Sequence, residues 1–119
     1  MTNLIVCVST GKGTWKEVAN LMNQGPWNKI FVLTNSFGKE NFSSLPKTAQ
    51  VLVFDFEQDI KGLTESFAKS LKDKVKDLEV AVNFVSGAGK EHMALMAALM
   101  KVGISVHLVI PGVKSPEDL

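Results

Sequence analysis

Five runs of nearly unbroken apolar residues, rich in β-branched side chains and spaced along the chain, constrain its fold more than any other feature. They are Leu4-Ile5-Val6-Cys7-Val8, Ile30-Phe31-Val32-Leu33-Thr34, Val51-Leu52-Val53-Phe54, Val80-Ala81-Val82-Asn83-Phe84-Val85 and Val106-His107-Leu108-Val109-Ile110. A strand with one wet face alternates apolar and polar residues. A continuous run is buried on both faces, which is the habit of parallel sheets covered by helices.

The segments between the runs carry helical signals. Val18, Leu21 and Met22 recur at helical spacing and predict a helix over Trp15–Gln24, ended by Gly25-Pro26. Thr14 and Glu17 have the spacing of a capping box at its start. Residues 35–47 are polar, and periodicity does not decide whether they hold a helical turn. Ile60, Leu63, Phe67, Leu71 and Val75 form the apolar stripe of a long helix, with Asp55, Glu57 and Asp59 placed to cap it. A nearly all-apolar helix from Met93 to Met100 is closed by Gly103. Past Pro111-Gly112 the chain reads as a short polar tail.

Strands alternating with helices imply right-handed crossovers and a three-layer α/β sandwich. The 119 residues read as a single domain, without repeat or linker. If the first three strands wind outward and the chain then crosses back, a five-stranded, mainly parallel sheet has the order 3-2-1-4-5. Ligands in such sheets bind at the carboxyl ends of the strands where the order switches, here between strands one and four. Two glycine-rich segments fall at those ends: Ser9-Thr10-Gly11-Lys12-Gly13-Thr14 and Ser86-Gly87-Ala88-Gly89-Lys90.

Composition narrows what these loops can hold. All 13 basic residues are lysines, so forked recognition of phosphate by guanidinium is excluded. A net charge of +1 argues against direct DNA binding through a basic surface. Cys7 is the single cysteine and cannot form an intrachain disulfide or supply a zinc cluster. No signal peptide or membrane-spanning run is evident, so the expectation is a soluble cytoplasmic protein with no membrane partner. Neither loop is a Walker A motif, because Val6 and Phe84 stand where its first glycine belongs and Gly13 and Glu91 follow the lysines. Lys16 replaces the third glycine of a dinucleotide fingerprint. An NTPase or NAD enzyme is disfavoured, and no cofactor is expected.

Each loop opens a helix, so free N–H groups face the switch point. Gly11, Gly87 and Gly89 permit close backbone approach, Ser9, Thr10 and Ser86 supply hydroxyls, and Lys12 and Lys90 supply charge. That set suits a phosphodiester. The competing reading is that any β-α turn wants glycine and a capping hydroxyl. His92 and His107 lack a carboxylate partner nearby in sequence, and Asp55, Glu57 and Asp59 lack a histidine that would make them a metal site. Met93, Met96 and Met100 fit a core or a dimer face. Trp15 is near enough to the first loop to stack on a base, although packing is its commoner use.

The stretch Asn83-Phe84-Val85-Ser86-Gly87-Ala88-Gly89-Lys90-Glu91-His92-Met93, followed by an Ala/Leu/Met helix, resembles the signature of CARF domains, the CRISPR-associated Rossmann-like sensors. The first strand ending in Ser9-Thr10 matches the family's other ligand loop, and in outline the likeness runs from Leu4 to Ile110. Ala88 and Gly89 stand where the family usually has Gly and Thr. The resemblance implies a Rossmann-like homodimer of antiviral defence that binds a cyclic oligoadenylate through Ser9, Thr10, Gly11, Lys12, Ser86, Gly87, Ala88, Gly89 and Lys90. In members that act as metal-independent ring nucleases, a ribose 2′-OH attacks the adjacent phosphorus, which assigns Ser9 and Lys90 as the catalytic pair. Most members carry an effector domain, for which this length leaves no room. The expectation is a stand-alone binder or ring nuclease; an oligomeric interaction module and a mononucleotide-binding domain are the alternatives.

Overall fold

A computed structural model describes residues 2–9, 12–43 and 45–119, and the Lys12 side chain falls outside the description. Strands β1 (Thr2–Val8), β2 (Trp27–Thr34), β3 (Ala49–Val53), β4 (Glu79–Asn83), β5 (Ser105–Ile110) and β6 (Glu117–Asp118) form one sheet of order β3-β2-β1-β4-β5-β6. All pairs are parallel except β5 with β6. The chain is thus an α/β sandwich with the switch between β1 and β4, as expected. One correction concerns the tail. Its Glu117 and Asp118 pair antiparallel with Ile110 and Val109 and extend the sheet by a sixth strand.

Alternation along β1 explains why its run is unbroken. Ile5 and Cys7 enter one core with Phe31, Leu33 and two helices, α3 (Ile60–Lys74) and α4 (Gly89–Lys101). Leu4, Val6 and Val8 enter a second core with Ile30, Val32 and helix α1 (Trp15–Gln24). Every residue of the run therefore loses water, and each fully buried Leu, Ile or Val contributes roughly 1.5–3 kcal/mol.

Helix α1 has the predicted bounds, but the Thr14 side chain makes no capping bond; a 3-10 turn over Lys12–Thr14 leads into the helix instead. The undecided polar segment contains helix α2 (Ser36–Asn41), capped by Asn35, whose side chain accepts from the Gly38 N–H. A Cβ at Gly38 would overlap the Thr34 hydroxyl, so only glycine lets α2 approach the strand ends this closely. Leu63, Phe67, Leu71 and Val75 are buried as the stripe predicts, whereas Ile60 at the helix start is exposed. Asp59 caps α3 by accepting from the Gly62 N–H at 2.7 Å. Gly103 ends α4 with a positive φ, its N–H bonding Met100 and the Ile104 N–H reaching back to Leu99, which is a Schellman closure.

Candidate functional site

The segment leaving β4 is held by side chains on both sides of its turn. Asn83 closes the strand: its amide donates to the Val109 carbonyl at 2.8 Å and its oxygen accepts from the Val85 N–H at 3.0 Å. Gly87 then adopts φ +96°, and a Cβ there would lie 3.0 Å from His92 Nε2. The His92 ring packs on Phe84, and its Nε2 donates to the Ser86 carbonyl at 2.7 Å. Glu91, only 7% exposed, turns back to accept from the Ala88 N–H. This supplies the carboxylate half of a capping box where Ala88 has no side-chain acceptor. The remaining first-turn N–H groups, those of Gly89, Lys90 and Glu91, have no partner in the helix. The missing side chain of Gly89 faces open space.

One polar group in this turn is unsatisfied. The Ser86 hydroxyl is fully buried and has no hydrogen-bond partner among the described residues. Buried polar atoms are nearly always paired, and leaving one unmade costs about 1–3 kcal/mol.

The neighbouring loop leaves β1, which pairs with β4 through Leu4–Ala81, Ile5–Val82 and Val6–Asn83. The two glycine-rich segments therefore leave the sheet side by side. Val8 ends β1 with its carbonyl accepting from the Thr34 hydroxyl at 2.6 Å, and buried Ser9 follows. Thr10, Gly11 and the side chain of Lys12 lie outside the described residues. The turn at Gly87 packs against the end of β1, where an added Cβ would stand 3.4 Å from the Cys7 Cβ. Burial, reinforced by the negative charge of Glu91, pushes the Cys7 thiol up to about 12, so it stays protonated and is no nucleophile.

Of the residues singled out by sequence, Ser9, Ser86, Gly87, Ala88 and Gly89 sit on these two adjoining strand ends. Lys90 takes a different direction. Its half-buried side chain crosses to the loop before α3, where the ammonium donates to the Phe56 carbonyl at 2.8 Å. An ammonium has three donors, so one is committed there. Trp15 packs against Phe37 and Phe42, with ring centroids 6.1 and 5.3 Å away, as a packing residue. His107 has a carboxylate partner that sequence spacing does not reveal: Glu79 on the adjacent strand, 2.9 Å away. Sequence reading also missed the carboxylate of Glu91 as the group that holds the Ala88 N–H. The signal was there, since Glu91 lies three residues after Ala88, the spacing of the back half of a capping box.

Chemically, the β4 turn offers free N–H donors, a buried hydroxyl and a positive helix end, partly offset by Glu91. That is an anion-binding arrangement rather than an acid–base pair. Among the described residues, no group of three or more His, Cys, Asp or Glu side chains is placed to hold a metal ion. No described helix is long and apolar enough to cross a membrane. Fold and site together define an α/β domain with a candidate anion site at the β1/β4 switch. No protein-family model matches the chain, and no curated protein matches it.

Proposed function

We propose that this protein binds a nucleotide second messenger of the cyclic-oligoadenylate class, with its phosphates at the β1/β4 switch and two copies of the chain sharing the ligand. The observation that carries the reading is the β4–α4 turn. There a buried, unpartnered Ser86 hydroxyl lies beside free first-turn N–H groups and a glycine opening at position 89. A phosphate oxygen would satisfy donors that the chain leaves unsatisfied. Pairing of two copies is supported by α4, whose outer side carries Met93 and Met100 at 67% and 74% exposure. Cyclic ligands with repeated phosphates suit a site doubled by two-fold symmetry.

Equilibrium binding of cyclic tetra- and hexa-adenylate in EDTA tests the reading. Saturable binding is expected, weakened about tenfold by Ser86→Ala through one lost hydrogen bond to a charged group. Absence of binding at high protein concentration would sink it. Product analysis in the same samples tests ring cleavage by Ser9 and Lys90. Linear products that vanish in Lys90→Ala, with binding retained, assign a ring nuclease; no products in the wild type leave a sensor or sink.

A further inference from the structure

A second concavity, outside the two glycine-rich loops, opens at the carboxyl ends of β2 and β3. It has a volume of about 440 Å³ and is walled by Phe37, Val53, Phe54, Asp55, Phe56 and Glu57. That size lies within the range of about 300–1,000 Å³ found for small-molecule sites. Its walls are set in advance by packing. Phe54 and Phe56 both stand edge-on to the buried ring of Phe67, with centroids 4.8 and 6.2 Å away. Asp55 is fixed by accepting from the Glu57 N–H at 2.9 Å through Oδ1, which leaves its second oxygen for another donor.

The chemistry of this lining differs from that of the β4 turn. Among the described residues its charged lining side chains are the carboxylates of Asp55 and Glu57, against the single ammonium of Lys90 on the Phe56 carbonyl. The lining is net acidic and disfavours an anion. A flat, weakly polar ring that donates hydrogen bonds is matched, because aromatic and aliphatic walls take its faces and carboxylates take its N–H groups.

The two sites are also connected. Phe56 lines the cavity, and its carbonyl receives the Lys90 ammonium from the first turn of α4. Along the strand ends the order runs β3, β2, β1, β4. With neighbouring strands about 4.8 Å apart, the β2/β3 cavity lies on the order of 10 Å from the β1/β4 switch. A ligand with one flat amine-bearing end and one phosphate end can therefore reach both.

We propose that the cavity is the nucleobase subsite of the same ligand. It takes an amine-bearing base, adenine in the reading above, with its ring against Phe37 and Phe54 and its amine donating to Asp55 or Glu57. The direction of the ligand rests on the phosphate reading, whereas the preference of the cavity for an amine-bearing base does not.

Backbone amide NMR of the full chain separates the two claims, because each site is probed by a fragment lacking the other half. Adenosine is expected to shift the amides of residues 35–37 and 53–57. Purine riboside, which lacks the amine and has no donor in its place, is expected to bind about tenfold more weakly, since the carboxylate then loses its partner. Val53→Trp, a change at an exposed rim position that spares the core, is expected to abolish the adenosine shifts while the rest of the spectrum is retained. Adenosine that leaves these amides unmoved at millimolar concentration overturns the proposal, and so does purine riboside binding as well as adenosine. Inorganic pyrophosphate tests the phosphate reading independently, through the amides of residues 86–91. Failure there with adenosine shifts intact removes that reading and leaves the base subsite standing.

Discussion

Helices α3 and α4 lie side by side on the same face of the sheet and press similar stripes into it, Leu63, Phe67 and Leu71 from one and Ala94, Leu95, Ala98 and Leu99 from the other. Their other surfaces diverge. At its start α3 has the Asp59 carboxylate on the Gly62 N–H, and its exposed side carries Lys61, Glu65, Lys69, Lys72 and Asp73. α4 begins at Ala88, which has no side chain to cap with, above the unpartnered Ser86 hydroxyl; its outer side carries Met93 and Met100. α3 is capped by a side chain at its start and charged on its outside. α4 has no side-chain acceptor at its N-cap and is apolar outside, and its start and its outer stripe are the places where the proposed function puts a ligand and a second copy.

The largest effects test whether the inner stripes are equivalent. Phe67→Ala is expected to cost about 3–5 kcal/mol and Leu95→Ala about 2–5 kcal/mol, because both side chains are fully buried. Against a total stability of about 5–15 kcal/mol, either change leaves the domain marginal. Urea unfolding measures both. A cost below about 1 kcal/mol for Leu95→Ala would break the comparison, since α4 would then not share the core that holds α3.

The outer stripes come next. The double variant Met93→Lys, Met100→Lys is expected to convert a dimer to monomer in sedimentation velocity, with unfolding midpoints nearly unchanged because both positions are exposed. Lys69→Glu on the outside of α3 is the control and is expected to leave the assembly intact. A wild-type chain that sediments as a monomer at high concentration removes the proposed pairing outright.

The helix starts give smaller effects of opposite sign. Asp59→Ala removes a real cap and is expected to destabilise by about 1 kcal/mol. Ser86→Ala removes a hydroxyl that has lost water and found no partner, so the free protein is expected to gain up to about 1 kcal/mol while phosphate binding weakens. A loss of stability in Ser86→Ala would show that the hydroxyl is already satisfied, and α4 would then begin as completely as α3.

How far these features can be read from sequence follows from what creates them. The two-sided burial of Leu4 to Val8 leaves its mark in composition, so the parallel sheet, its order and the bounds of α1 are legible. Capping of α3 by Asp59 is legible because the partners lie three residues apart. Helix α2 is six residues long and exists through a fit of Gly38 against Thr34 that no periodicity records. Strand β6 is a main-chain pairing of two polar residues with the β5 edge. Lys90 was legible as a loop lysine, but its partner Phe56 is 34 residues away, brought near only by the packing of α3 on α4. The aromatic cavity was visible in sequence only as strand end and helix cap, because its walls come from two separate loops.

The smallest expected effect lies on β5, the strand that follows α4, where His107 meets Glu79 at 2.9 Å. The hydrogen bond and charge of Glu79, with a further contribution from Asp118, raise the His107 pKa above its ordinary value of about 6.5. A raised folded-state value means the pair contributes fully below about pH 6.5 and is lost as pH rises through the folded pKa. Both side chains are solvated, so the change in stability is small and a ring-proton NMR titration is the better probe. The His107 midpoint is expected above the ordinary value and is expected to fall back in Glu79→Gln. A midpoint left unmoved by Glu79→Gln would show that the carboxylate does not hold the ring.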